Sequence, residues 1–118
     1  MTEVELKERT KAFALRILRL VDALPRTIAG RAIASQLVRA GTSVGANYRA
    51  ACRGRSRAEF ASKLGTCLEE ADECGYWLEL IGDGRMMSKP KLAELRREAD
   101  ELAAIFMASI RTVKKGKG

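Results

Sequence analysis

The chain has 118 residues, of which 47% are hydrophobic and 31% charged, and its formal net charge is +7. This length suits one domain with its own core, and the composition is that of a folded protein. The sequence has no histidine, so it lacks the base of the Ser-His and Cys-His catalytic pairs. No uncharged stretch exceeds nine residues, whereas a transmembrane helix needs about 20 apolar residues. Because the first residues are also charged rather than apolar, we expect no membrane segment and a cytoplasmic location.

Two helices are predicted in the first half of the chain. Thr2 and Glu5 have the spacing of a capping box, and apolar residues at helical spacing follow as far as residue 24, before Pro25. Thr27 can cap a second helix over about 28–53. This helix carries Gly41 and Gly45 one turn apart, a spacing that predicts close packing against the helix backbone. The first helix is therefore placed at about 3–24 and the second at about 28–53.

Two more helices are predicted in the second half. Ser56 and Glu59 have the spacing of a second capping box, which opens a helix over about 57–82. Its apolar positions alternate in steps of four and three over three heptads, until the glycines at 82 and 84 end it. Ser88 is predicted to cap a fourth helix over about 89–113, with 114–118 as a frayed basic tail. Since the connections are short and no strand pattern occurs, residues 1–118 are predicted to form one all-α domain, an up-down antiparallel four-helix bundle.

The cysteines and acidic residues form no catalytic or metal-binding pattern. Cys52, Cys67 and Cys74 are odd in number, which favours reduced thiols that fill the core. Di-iron sites in helix bundles need Glu-x-x-His pairs, and the glutamates of the third helix lie away from its apolar seam. We therefore predict a protein that is not an enzyme and that holds neither a metal ion nor a cofactor.

Charge is distributed unevenly along the chain. Residues 26–63 contain eight basic residues and one acidic residue, whereas residues 64–84 contain six acidic residues and no basic one. Arginine clusters suit phosphate recognition, so the first hypothesis is that the protein binds RNA or another nucleic acid. The residues predicted to contact nucleic acid are Arg49, Arg53, Arg55, Arg57, Lys63, Lys114 and Lys115.

A second hypothesis assigns the same charge to assembly. A basic face and an acidic face on one molecule suit a head-to-tail contact between subunits, and such contacts generate rings. The residues predicted at this interface are Glu70, Glu73, Tyr76, Trp77 and Leu80. Alternatively, the third helix buries two faces, and Trp77 then belongs to the core. In the second hypothesis the protein is an interaction scaffold, and its partner is another copy of itself or a different protein.

Particular residues carry a resemblance to a known family. They are the runs 36–40 and 43–48, then Arg55-Ser56, Glu59-Phe60, the acidic run 69–73 and Trp77-Leu78. In these the chain resembles the bacterial four-helix-bundle family first described from intervening sequences in large-subunit ribosomal RNA genes. The resemblance implies a basic four-helix protein that forms a homopentameric ring. More distantly, the chain is similar to the accessory variability protein of diversity-generating retroelements, a basic pentamer that acts with reverse transcriptase and RNA.

The family pattern also singles out three polar residues, Asn47, Ser56 and Glu59. Many members continue after the asparagine as Ile-Ala-Glu-Gly, whereas this chain has Tyr-Arg-Ala-Ala, so an acid is lost and a base is gained. We expect Ser56 and Glu59 to cap the third helix. We expect the Asn47 side chain to hydrogen-bond locally, near the end of the second helix.

Overall fold

The computed structural model describes residues 1–116, which fold into four α-helices. These are α1 (Glu3–Asp22), α2 (Ile28–Cys52), α3 (Arg57–Asp83) and α4 (Lys89–Lys115). Each helix packs against its two neighbours around a square, and the molecule measures 51 × 21 × 20 Å. The predicted all-α four-helix bundle is confirmed.

The helix starts follow the predicted caps only in part. Thr2 and Glu5 form the complete capping box, and Thr27 accepts a hydrogen bond from the Gly30 backbone N–H at 3.0 Å. Ser56 accepts one from the backbone N–H of Glu59 at 3.0 Å. Within residues 1–116, however, the Glu59 side chain does not reach back to Ser56, so the second capping box is only half formed.

The ends of the helices differ slightly from prediction. α1 ends at Asp22, two residues before the predicted end, and α4 continues to Lys115, two residues beyond it. Lys114 and Lys115 are therefore helical rather than frayed, and positive side chains are favourable in the last turn because of the helix dipole. Of the remaining tail residues, Gly116 is the C-cap of α4, and Lys117 and Gly118 lie outside the described residues. Ser88 occupies the N-cap of α4, but its side chain makes no capping hydrogen bond.

α1 and α2 are in close contact through the two predicted glycines. A Cβ atom on Gly41 would lie 2.9 Å from Cγ1 of Ile17, and one on Gly45 would lie 3.1 Å from Oγ1 of Thr10. Thr10 is fully buried, and its hydroxyl donates to the Leu6 carbonyl at 2.9 Å. The glycines thus serve packing, as the sequence indicated.

α1 and α4 approach each other less closely, and ion pairs bridge them. Arg9 donates to both carboxylate oxygens of Glu98, and also to Glu101, each at 2.7 Å. Two turns farther along α1, Nη2 of Arg16 lies 3.8 Å from Oε2 of Glu94.

The turn after α3 has a left-handed residue that the sequence did not indicate. Gly82 is still helical and buried, and Arg85 adopts the positive φ of 59°. The backbone N–H of Met86 bonds to the Ile81 carbonyl at 3.0 Å, and that of Arg85 bonds to the Gly82 carbonyl at 3.1 Å. This hydrogen-bond pair is the Schellman motif, with arginine where glycine is usual. Across residues 1–116, the structure contains no helix long and apolar enough to cross a membrane.

Candidate nucleic-acid interface

The antiparallel topology gathers most of the predicted basic residues at one end of the bundle. α2 ends there with Arg49 in its last turn and Arg53 as its C-cap, and the connection to α3 carries Arg55. Arg57 is the first residue of α3. Lys114 and Lys115 end α4 at the same end of the bundle. The Arg57 guanidinium marks this proximity, since it donates a hydrogen bond to the Gly116 carbonyl. We call these six residues the basic end. Lys63, the seventh predicted residue, lies on α3 nearly two turns farther along.

The side chains of the basic end are exposed to solvent, as is Lys63. Within residues 1–116, none of these seven side chains forms an ion pair with a carboxylate. Their positive charges are therefore not neutralised by the acidic side chains of the described chain, and they are accessible to an anionic ligand.

Some acidic residues lie at the same end of the molecule. Glu3 and Glu5 are in the first turn of α1, and Glu59 is in the first turn of α3. Hydrogen bonds from the backbone and then the side chain of Thr2 lower the pKa of Glu5, so this carboxylate is ionised. The start of α1 carries two carboxylates, whereas Arg53, Arg55 and Arg57 outnumber Glu59 around the α2–α3 connection, so an anionic ligand would meet that connection and the end of α4 more favourably.

The structure places the predicted interface residues in two different environments. Glu70 and Glu73 both pair with Arg39 of α2, and the Glu70 Oε2 to Arg39 Nη1 distance is 3.1 Å. Hydrogen bonding to Glu73, and then the charge of Glu70, raise the pKa of Arg39. Glu73 also accepts a hydrogen bond from Trp77 Nε1 at 3.2 Å. These two carboxylates are thus already engaged within one protomer.

The aromatic pair on α3 is divided between the core and solvent. Trp77 is half-buried and packs against the core, whereas Tyr76 is 54% exposed. Their ring centroids are 5.3 Å apart. Leu80 is partly exposed on the same helix. Trp77 therefore packs against the core without being fully buried by it, and Tyr76 is the more exposed aromatic residue of this pair.

The polar residues of the family pattern have local roles. Asn47 Nδ2 donates to the Ser43 carbonyl at 2.9 Å, as expected for a side chain near the end of α2. Ser56 caps α3 through its hydroxyl, while the Glu59 side chain is exposed and makes no return bond. Asn47 and Ser56 therefore support the helices that carry the basic end.

The three cysteines are free thiols, two of them in the core. Cys67 and Cys74 are fully buried, and burial raises the pKa of each to about 12. Cys52 is half-buried. In the part of the chain that the structure describes, no three cysteine or acidic side chains are grouped as metal ligands would be.

Two surface features were missed by the sequence analysis. The first is an exposed apolar face on α1, where Val4, Leu15 and Leu18 are 62%, 43% and 39% exposed. Their spacing places them on one side of α1, opposite the core, and this pattern was readable from the sequence. The second is a groove of about 710 Å³ between α3 and α4, lined in part by Arg57 and Lys114 of the basic end. Its shape depends on how two helices pack, so no local sequence signal predicts it.

The fold and the charges together define the class of protein: an antiparallel four-helix bundle with basic residues gathered at one end. The chain belongs to the 23S rRNA-intervening sequence protein family, whose model matches residues 2–108. This match includes five of the seven predicted basic residues and ends before Lys114 and Lys115.

A solved structure agrees with this assignment. The chain is similar to a crystal structure from Bacteroides thetaiotaomicron, described as a protein of unknown function from the S23 ribosomal protein family. The two are 31% identical, the TM-score is 0.85, and the alignment covers 95% of this chain and 100% of the other. No curated protein matches the chain.

Proposed function

We propose that this protein is a non-enzymatic RNA-binding protein that contacts phosphates through its basic end. The observation that carries the proposal is the gathering of exposed arginines and lysines from α2, α3 and α4, without carboxylate partners among residues 1–116. The family name refers to the sequence that interrupts the 23S rRNA and names no ligand, so the proposal rests on these charges.

The proposed contacts are electrostatic and independent of sequence. The planar guanidinium groups of Arg53 and Arg55 can each donate two hydrogen bonds to one phosphate, which an ammonium group does with less geometric definition. Contacts of this kind position a protein on RNA without reading its bases. Binding should therefore weaken as salt rises, with a slope of log affinity against log salt of about −0.7 to −0.9 for each phosphate neutralised.

The test is fluorescence anisotropy of a labelled ribosomal RNA stem-loop, titrated with protein at several salt concentrations. The double variant Arg53→Glu/Arg55→Glu should bind at least about tenfold more weakly, with a shallower salt slope. The matched control is Arg26→Glu/Arg31→Glu, which makes the same charge change at exposed positions near the opposite end of the bundle. Equal losses in both variants, or no binding by the wild-type protein at low salt, would contradict the proposal.

Assembly into a homo-oligomer is a second candidate function, and the exposed apolar face of α1 favours it. Leu15 and Leu18 are exposed one turn apart, and Val4 lies on the same side about three turns earlier. Exposed apolar side chains grouped in this way commonly mark contacts with a partner. A head-to-tail contact would bring this face, or the exposed Tyr76 and acidic residues of α3, against a neighbouring copy. The homopentameric ring implied by the family resemblance is one such arrangement.

Light scattering tests assembly separately from RNA binding. If α1 forms a subunit contact, Leu15→Lys should lower the mass of the particle, while Ala104→Lys at an exposed position of α4 should not. Arg53→Glu/Arg55→Glu should keep the mass if the arginines serve RNA, and should dissociate the assembly if they serve subunit contacts. A wild-type protein that is monomeric at micromolar concentration would exclude the assembly function.

A further inference from the structure

A groove of about 710 Å³ lies between the first turns of α3 and the last turns of α4. Ala61 and Gly65 contribute to its apolar lining from α3, and Ile110 and Val113 do so from α4. Arg57 and Lys114 supply its positive charges. Its volume falls in the range of about 300–1,000 Å³ that is usual for sites of small organic ligands.

Gly65 has no packing reason to be glycine. A Cβ atom at this position would meet nothing within 4 Å, whereas one on Gly41 would lie 2.9 Å from Ile17. Glycine within a helix costs about 1 kcal/mol relative to alanine. At Gly41 the missing side chain allows close contact between two helices. At Gly65 the missing side chain leaves open space on the wall of the groove.

The charges around the groove favour an anion. The Arg57 guanidinium is held at the end of α4 by its hydrogen bond to the Gly116 carbonyl, and Arg55 and Lys115 belong to the same basic end. A second depression between α3 and α4, of about 330 Å³, is lined instead by Asp72, Glu79 and Asp100 together with Arg96. The same pair of helices thus presents a basic apolar groove in one half and a mainly acidic depression in the other.

We propose that the basic groove receives unpaired nucleobases of RNA, while the adjoining phosphates contact Arg57 and Lys114. This inference rests on the proposed RNA-binding function and adds that the protein selects unpaired over duplex RNA. The bases of a duplex are stacked and paired, so a duplex offers this end mainly its phosphates. Unpaired nucleotides can turn their bases into an apolar groove and still keep their phosphates at its charged edge.

The test fills the groove from Gly65. Gly65→Leu places a side chain in open space, so the fold should tolerate it. The probes are a labelled oligouridylate, which is unpaired, and a labelled blunt RNA duplex of the same length, at one salt concentration. The variant should bind the oligouridylate at least about fivefold more weakly and the duplex as the wild type does. The matched control is Gly75→Leu on the same helix, where the nearest atom to a Cβ is Asp100 Oδ1 at 4.0 Å, and it should bind both probes normally.

The outcomes separate this inference from the proposed function. If the wild-type protein binds both RNAs and Gly65→Leu leaves both affinities unchanged, the groove assignment is overturned and the RNA-binding function stands. If the wild-type protein binds neither RNA, the function itself fails and the groove assignment fails with it. If Gly65→Leu changes the mass of the particle in light scattering, the groove is a contact between copies of the chain, and the nucleobase assignment is again overturned.

Discussion

Arg9 of α1 and Glu98 of α4 form a two-bond ion pair, in which Nε and Nη2 donate to Oε2 and Oε1, each at 2.7 Å. The Arg9 side chain is 26% exposed and that of Glu98 is 16% exposed. Hydrogen bonding to Glu98 raises the pKa of Arg9, so the guanidinium carries its charge at any working pH. Partly buried pairs with this fork geometry are stronger than mobile surface pairs.

We expect Arg9→Ala to lower the free energy of unfolding by about 1–2 kcal/mol in urea titrations, because Glu98 would lose its charged partner. A double-mutant cycle with Glu98→Ala should give a coupling of about 1 kcal/mol. Arg16→Ala is the comparison, since Arg16 lies 3.8 Å from the exposed Glu94, and it should cost no more than about 0.5 kcal/mol. Equal costs at the two positions would show that the geometry of the Arg9 pair contributes nothing.

Two glycines should respond to alanine in opposite directions. Gly41→Ala forces a methyl group against Ile17, and the overpacking of about 1–3 kcal/mol should exceed the gain of about 1 kcal/mol in helix propensity. Gly65→Ala meets open space and should stabilise the protein by up to about 1 kcal/mol. Thermal and urea unfolding measure both changes, and two effects of the same sign would contradict close packing at Gly41 and open space at Gly65.

Arg85 should be replaceable by glycine with a gain in stability. Its φ of 59° is unfavourable for a side chain by about 1 kcal/mol, and glycine adopts it freely. Part of this gain is offset by the greater freedom of glycine in the unfolded chain, so we expect a net gain of about 0.5 kcal/mol. Arg53→Gly is the control, because Arg53 caps α2 with a φ of −95°, and it should give no gain. A gain at position 53 as large as that at position 85 would rule out relief of backbone strain as the cause.

The buried thiols should make stability fall in alkaline solution. The pKa of Cys67 and of Cys74 rises from 9.0 to about 12 in the folded protein because burial disfavours the thiolate. The stabilisation is complete below pH 9, where both states hold the proton, and is lost as pH rises from 9 to about 12. At pH near 10 the loss should be on the order of 1 kcal/mol for each thiol.

Urea midpoints at pH 8 and pH 10 measure this effect. The double variant Cys67→Ala/Cys74→Ala should be less stable at pH 8, because it leaves small cavities, but its midpoint should fall less between the two pH values. Identical pH dependence in the two proteins would show that these thiols do not ionise on unfolding in this range.

The fold was readable from the sequence because apolar residues such as Leu64, Cys67, Ala71 and Cys74 repeat in steps of three and four, and only a helix with one buried face gives that spacing. The gathering of basic residues at one end followed from the same topology, because the helices alternate in direction.

Other details depend on tertiary contacts. Arg39 of α2 pairs with Glu70 and Glu73 of the neighbouring α3, and the apolar periodicity of α3 does not predict that pairing. The left-handed residue after α3 is Arg85 rather than a glycine, and the Schellman hydrogen bonds hold it in a conformation that arginine alone disfavours.

The two sides of α1 are held by different forces, and this difference determines how the protein should open. On one side Gly41 and Gly45 let α2 come into direct contact, while on the other Arg9 and Arg16 reach across a wider separation to carboxylates of α4. Solvent ions screen the exposed Arg16–Glu94 pair, screen the partly buried Arg9–Glu98 pair to a smaller extent, and leave the packing against α2 nearly unchanged. We therefore expect α1 to separate from α4 before the remaining helices part, as a partial unfolding step. In native-state hydrogen exchange, the amides of α1 should lose protection first as salt is raised, ahead of those in α3.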